Sequence, residues 1–434
     1  MNKILGIFLL FFLIASCSLD KATGLWSQNK KIKEEKKIEK KELFKKDEAL
    51  NKEFNINLKI DISDKFTSNS FVNNLNNNNG RINYNGNLKN ISRYKFSKIG
   101  YFKKFEPEII LDKDHVIFFN GKGSILKFDN SSKIIWKNNN YSKAEKKSKP
   151  ILFFDKNNEI LVVTDSLAKY YALDFNSGKL LWSKNNNAPF NSQVKIYKNK
   201  FFAIDLENIL RCYSINDGKE LWNIKTQKSF IKSQKRLSLV VVNNKVFFNN
   251  SLGDISAVDI ETGNLLWQSP TQNTSIDENG FFLKISDLIA NDRSILFSTN
   301  QNQFFSIDLK SGIFNWVQKI NSSLRSTLID NLIFSVTIEG FLVITDYKSG
   351  DIIRITDIFN QFSKKKKSKI KPIGFIVGRN KVYLTTNHGR LLIIDIATGK
   401  TISSLKIDND KISRPYVSNK NLFIVKENAI IRLN

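Results

Sequence analysis

The chain has 434 residues, 41% of them hydrophobic, and carries 68 Lys and Arg against 41 Asp and Glu, a formal net charge of +27. The apolar content suffices for a sizeable core, and two cysteines and two histidines exclude a disulfide framework and a His/Cys-rich metal cluster. The basicity is mostly lysine, spread through turns beside abundant Asn, Ile and Phe. It reads as a solvated surface and not as a nucleic-acid footprint, because the interleaved aromatics sit at core-facing positions.

Residues 1–17 form a targeting segment. Lys3 gives a positive start, and Ile4–Ala15 is an apolar run too short to span a bilayer. It ends Ile14-Ala15-Ser16-Cys17, which resembles the lipobox of bacterial lipoproteins. The resemblance implies cleavage before Cys17 and lipidation of that residue by fatty acids such as palmitate. With Ser18 and not Asp after the cysteine, it also implies delivery to the outer membrane. Residues 18–90 follow, with a Lys/Glu run at Lys30–Lys46 and an Asn-rich stretch over 69–90. Their low apolar content does not offset the entropy of ordering, so the expectation is a disordered tether.

Residues 91–434 repeat one unit. In Leu252–Trp267 a strand leads to Asp259, whose carboxylate caps a turn, then to Gly263, which takes a positive φ, then to a second strand carrying Trp267. The turn aspartate recurs at Asp129, Asp174, Asp259, Asp308, Asp346 and Asp395, with Ser214 in a seventh copy. The aromatic recurs at Trp136, Trp182, Trp222, Trp267 and Trp316, while Arg354 and Ser403 stand in its place in the sixth and seventh copies, where losing it should loosen the blades. A period of about 40 residues suits four short strands, the length of a propeller blade. Three strands after Arg414 end the chain, and the unassigned run Ile91–Ser97 is expected to complete the last blade. The expected fold is all-β: an eight-bladed β-propeller of four-stranded antiparallel blades, the last closed by an N-terminal strand.

Chemistry-bearing clusters are sparse. His115 and His388 lie far apart in the repeat order, and Cys212 sits in a strand as a small apolar residue. No phosphate loop or nucleophile elbow appears, and each repeated aspartate has the same turn role in its own blade. No catalytic residue, metal site or cofactor is expected. The longest insertions between blades are 138–149, 269–280 and 357–371, the last carrying Lys364–Lys369, which suits acidic headgroups or an acidic protein face.

The unit Ala-x-Asp-x-x-Thr-Gly-x-x-x-Trp at 257–267, with copies at 172–182 and 306–316, resembles the tryptophan-docking repeat of PQQ-like β-propellers. Together with the lipobox, eight blades and no further domain, it resembles the BamB family, lipoproteins of the β-barrel assembly machinery. That resemblance implies a non-catalytic scaffold on the periplasmic side of the outer membrane. It would dock on the POTRA domains of the BamA-like barrel subunit and assist insertion of unfolded outer-membrane proteins. The family's contacts lie in two neighbouring loops between blades. Phe230, Ile231 and Gln234 fall in the first, where Ile231 stands at the first Leu of a Leu-x-Leu-Arg pattern whose second Leu and Arg have no clear counterpart in 230–235. In the second, Asp287 keeps the first Asp of an Asp-x-Asp pattern and Ile289 replaces the other. Phe281 and Phe282 are further apolar anchors on that loop. Other readings of the same repeat are a periplasmic propeller binding polysaccharide or peptide in its funnel, and a PQQ-dependent dehydrogenase. The second would need a Ca²⁺ site beside the quinone, whose ligands do not stand out here.

Overall fold

Period-2 alternation buries one face of each run, and a lone hairpin cannot cover that face, so the units pack side by side. The structure, a computed structural model, describes residues 50–69, 74–112, 114–226, 232–233, 235–272 and 283–434. Its strands form eight four-stranded antiparallel sheets. Seven are meanders in chain order: blade 1 over 110–138, blade 2 over 152–185, blade 3 over 195–225, blade 4 over 239–269, blade 5 over 289–318, blade 6 over 327–357 and blade 7 over 372–406. Blade 8 takes three strands from 416–433 and its fourth from Asn90–Lys95, which pairs with Ala429–Leu433 as the sequence implies. Because strand direction alternates, the turns joining first to second and third to fourth strands share one face, here the turn face. Second-to-third turns and the connections between blades share the opposite, loop face.

The expected turn chemistry is present. Asp259 Oδ1 accepts from Glu261 N at 3.0 Å, Thr262 N at 2.8 Å and Thr262 Oγ1 at 3.0 Å. Gly263 has φ +74°, and a Cβ on it would come within 2.7 Å of the Trp222 ring of the preceding blade. Each docking tryptophan thus rests on the next blade's turn glycine. It also donates to the carbonyl after that blade's marker residue: Trp182 Nε1 to Ile215 O at 2.9 Å, Trp222 to Ile260 O at 3.0 Å and Trp316 to Tyr347 O at 3.0 Å. A one-residue bulge at the same place in seven blades, as between Ala257 and Val258, sharpens the local twist beside the aromatic. Facing the tryptophan, four blades keep a small residue: Ala172, Cys212, Ala257 and Ser306. Cys212 therefore packs as expected; it is fully buried, and burial pushes its thiol up to about 12.

Blade 6 departs from the expectation that a missing tryptophan loosens a blade. Arg354 is fully buried and donates from Nη2 to Ile396 O at 2.8 Å, the carbonyl after marker Asp395. Its Nη1 donates to Leu58 O at 3.0 Å and to Ala397 O. A guanidinium replaces the indole across this seam, with more donors. Ser403 of blade 7 is exposed and holds no such position.

Residues 50–69 and 74–90 also differ from expectation: they lie along the turn face instead of remaining unstructured. Phe54 and Ile355 exchange backbone hydrogen bonds at 3.1 and 3.0 Å on the outer strand of blade 6. Ile60 N donates to Ala397 O at 3.1 Å, and Ser63 Oγ to Asp330 at 2.8 Å. Ile82 and Tyr84 are buried in the seam between blades 7 and 8. Composition misleads here because backbone groups and carboxamides that meet partners far along the chain add to the ordering that a few buried side chains, such as Ile60, Ile82 and Tyr84, supply. Residues 1–49, with Cys17 and the Lys/Glu run, lie outside the described residues.

Arg354→Ala should lower stability in urea unfolding by about 2–3 kcal/mol, the worth of a charge-assisted hydrogen-bond set whose carbonyls are left buried. Ser403→Ala at the equivalent position should stay within about 0.5 kcal/mol of the parent.

Candidate docking site at the loop face

The first strand of each blade lines the central channel, and the polar residue shortly before it arrives from the loop face. Glu108, Gln193, Asp287, Arg325 and Arg414 stand two residues ahead of the strands starting at Ile110, Lys195, Ile289, Thr327 and Tyr416, and Arg236 three ahead of Leu239. A serine just before some of them fixes the approach. Ser192, Ser286 and Ser413 each donate to the carbonyl of the next residue and accept from the second strand of their own blade.

Four of these side chains, from blades 1, 4, 5 and 6, close a ring of alternating charge. Arg236 Nη1 lies 2.5 Å from Glu108 Oε2, and Arg236 Nη2 lies 3.1 Å from Asp287 Oδ2. Arg325 Nη2 lies 3.2 Å from Glu108 Oε1 and 2.5 Å from Asp287 Oδ2. The Asp287 side chain is 3% exposed and both arginines 7%, so water does little to screen the ring. Burial opposes the charge on Glu108, but the charges of Arg236 and Arg325 and the Arg236 hydrogen bond outweigh it and bring the carboxyl down to about 2. At Asp287 burial likewise opposes ionisation, and Arg325, Arg236 and Lys235 hold the carboxyl well below the usual range. Lys235 Nζ stands 3.7 Å from Glu106 and 4.0 Å from Asp287. Arg414, also buried, donates to Phe375 O at 3.5 Å.

Each ring carboxylate is paired with two guanidinium groups, which hold it ionised and in place. Among the described residues no group of three His, Cys, Asp or Glu side chains converges as a metal ion would require. What the arrangement does is tie loops together: the Arg236–Asp287 contact joins the two segments that lead into blades 4 and 5.

Of the residues singled out from sequence, Asp287 lies inside this ring. Phe230, Ile231, Gln234, Phe281 and Phe282 lie outside the described residues. Sequence reasoning missed Glu108, Arg236 and Arg325, which sit in different blades and carry no motif of their own. The recurrent serine ahead of the inner strand marks Gln193, Asp287 and Arg414, but Pro107, Lys235 and Leu324 stand in its place before the three that were missed.

A model of the family described as outer membrane protein assembly factor BamB matches residues 121–356. In structure the chain is similar to BamB from Moraxella catarrhalis, at 15% identity and a TM-score of 0.65, over 80% of this chain and 100% of that one. It is similar also to a europium-containing methanol dehydrogenase, at 11% identity and a TM-score of 0.64, over 82% and 89% of the two chains. The computationally designed Ika8 protein aligns at 13% identity and a TM-score of 0.60, over 79% and 100%. At such identities the likeness is one of fold. No curated protein matches the chain in sequence.

The depressed carboxyls set an acid limit. A pKa lower in the folded than in the unfolded state contributes stability above the unfolded value, and that stability is lost as pH falls through the folded one. Glu108→Gln should therefore cost roughly 3 kcal/mol near neutral pH. The difference from the parent should shrink between pH 4.5 and about 2, measured by urea unfolding across that range. A difference that stays constant with pH would show that the ring does not hold Glu108 ionised.

Proposed function

The chain belongs to the BamB family of outer membrane protein assembly factors, and on that premise we propose that it is a non-catalytic scaffold lipoprotein of the β-barrel assembly machinery. Acylation at Cys17 holds it on the periplasmic face of the outer membrane. Its loop face docks on the POTRA domains of a BamA-like barrel subunit, and the complex assists insertion of unfolded outer-membrane proteins. The observation that supports this reading is the Arg236–Asp287 contact at 3.1 Å, which ties together the segments that lead directly into blades 4 and 5. A partner that docks over this tie finds it already made and loses little entropy there on binding. Phe230, Ile231 and Gln234 on the first loop, with Phe281 and Phe282 on the second, are the proposed contact residues around that rigid centre. The fold likeness to a methanol dehydrogenase does not by itself favour catalysis here, since Glu108 and Asp287 are each paired with two arginines.

Titration of the full-length protein in detergent with the POTRA domains of the same organism's barrel subunit tests the proposal. Micromolar binding is expected. Asp287→Asn, which keeps the side chain's shape but loosens both loops, should weaken it at least ten-fold while far-ultraviolet circular dichroism is unchanged. Absence of binding at tens of micromolar (about 6 kcal/mol) would remove the assembly role and make a funnel-bound peptide or polysaccharide the leading reading.

A further inference from the structure

The inner strand of every blade leaves one edge facing the channel, with amides and carbonyls that need partners. At the turn face a single segment, residues 74–84, supplies them to four blades in succession. Val241 N of blade 4 donates to Leu75 O at 2.8 Å, and Ala290 N of blade 5 to Asn76 O at 2.9 Å. In blade 6, Leu328 N donates to Asn78 Oδ1 at 3.0 Å while Asn78 Nδ2 donates to Leu328 O at 3.1 Å, so this carboxamide stands in for a neighbouring strand's peptide group. In blade 7, Ile82 N donates to Val377 O at 2.8 Å, and Arg379 N to Tyr84 O at 3.0 Å.

Asn77 reaches deepest and is 1% exposed. Its Nδ2 donates to Leu239 O at 3.0 Å, Leu288 O at 2.9 Å and Gln193 Oε1 at 3.0 Å. Its Oδ1 accepts from Lys195 Nζ at 2.7 Å. The segment belongs to none of the eight sheets. The propeller thus recognises it as a groove recognises a bound peptide: through main-chain groups, with two carboxamides read specifically.

We propose that the inner-strand edges at the turn face form a binding site for an extended polypeptide carrying adjacent carboxamide side chains, and that residues 74–84 occupy it as a tethered ligand. The site is closed in cis. An incoming segment enters by displacing the chain's own, which competes at the high effective concentration of an intramolecular partner.

The test uses the full chain, its Asn77→Ala/Asn78→Ala variant, and a labelled synthetic peptide of residues 74–86. In the variant, hydrogen exchange at the amides of Val241, Ala290 and Leu328 should speed at least ten-fold relative to that of Phe202 in the blade 3 core. The peptide should bind the variant at least ten-fold more tightly than the parent and restore the lost protection. A folded variant whose amides stay protected, or whose opened edge does not take up the peptide, overturns the proposal, as does equal binding to parent and variant. Should the double variant fail to fold, Asn78→Ala alone, which removes the two contacts to Leu328 and a long one from Gly80 N, carries the same comparison at Leu328.

Discussion

Every seam of the ring between blades 1 and 6 depends on one contact: a flat indole laid on a glycine that has no Cβ to hold it off. The contact needs two residues from adjacent repeats at once, the aromatic on one outer strand and the positive-φ glycine of the next turn. Trp222 on Gly263 shows why the pair is inseparable, since a methyl group there would sit 2.7 Å from the ring. The indole N–H adds direction by reaching a carbonyl of the following blade, and the bulge beside it sets the angle. Arg354 shows that the geometry matters more than the aromaticity, because a guanidinium aimed at Ile396 O spans the seam between blades 6 and 7. Unlike the indole, the guanidinium has donors to spare, and they reach Leu58 and Ala397. Replacing the tryptophan at that seam thus goes together with fastening the N-terminal segment.

Much of this was legible in the sequence because it is local. The Asp-to-Gly turn and the tryptophan a few residues on are short-range patterns, and their period alone counts the blades. Even the shared last blade follows from arithmetic, a missing strand at one end and a spare at the other. What was not legible is what long range creates. Glu108, Arg236, Asp287 and Arg325 come from four blades, and nothing in the neighbourhood of any one of them names the other three. Asn74 to Asn79 read as a low-complexity run, and only the open edges of inner strands far along the chain turn those carboxamides into specific contacts. Arg354 read as the loss of an anchor for the same reason: its acceptors lie on another blade and on residues of the N-terminal segment.

The two ends of the channel are filled by opposite physics. At the loop face, charges are paired in a buried ring whose strength comes from low dielectric and whose geometry leaves little freedom. At the turn face, neutral amides and carbonyls are matched one by one along a strand-like segment. The first suits a surface presented unchanged to a partner, since breaking one member strands the others. The second suits exchange, because each contact is modest and the same backbone groups accept another extended chain that brings carboxamides to the same places. A formal charge of +27 thus coexists with a buried ring whose two carboxylates and two guanidinium groups balance.

The pairing of Asn90–Lys95 with Ala429–Leu433 has a consequence for biogenesis. Arg93 and Asn428, in contact across that blade, are 335 positions apart. A chain leaving the ribosome or a translocation pore N-terminus first carries Asn90–Lys95 unmatched until Ala429–Leu433 has emerged. Early blades can hold together in pairs, but the circle has no closed form before then. A chain cut within blade 8 would keep two raw edges, open to proteases and to neighbours of its own kind. The ring in this sense proofreads the stretch between its two closing strands, and only copies that carry both hide the last seam.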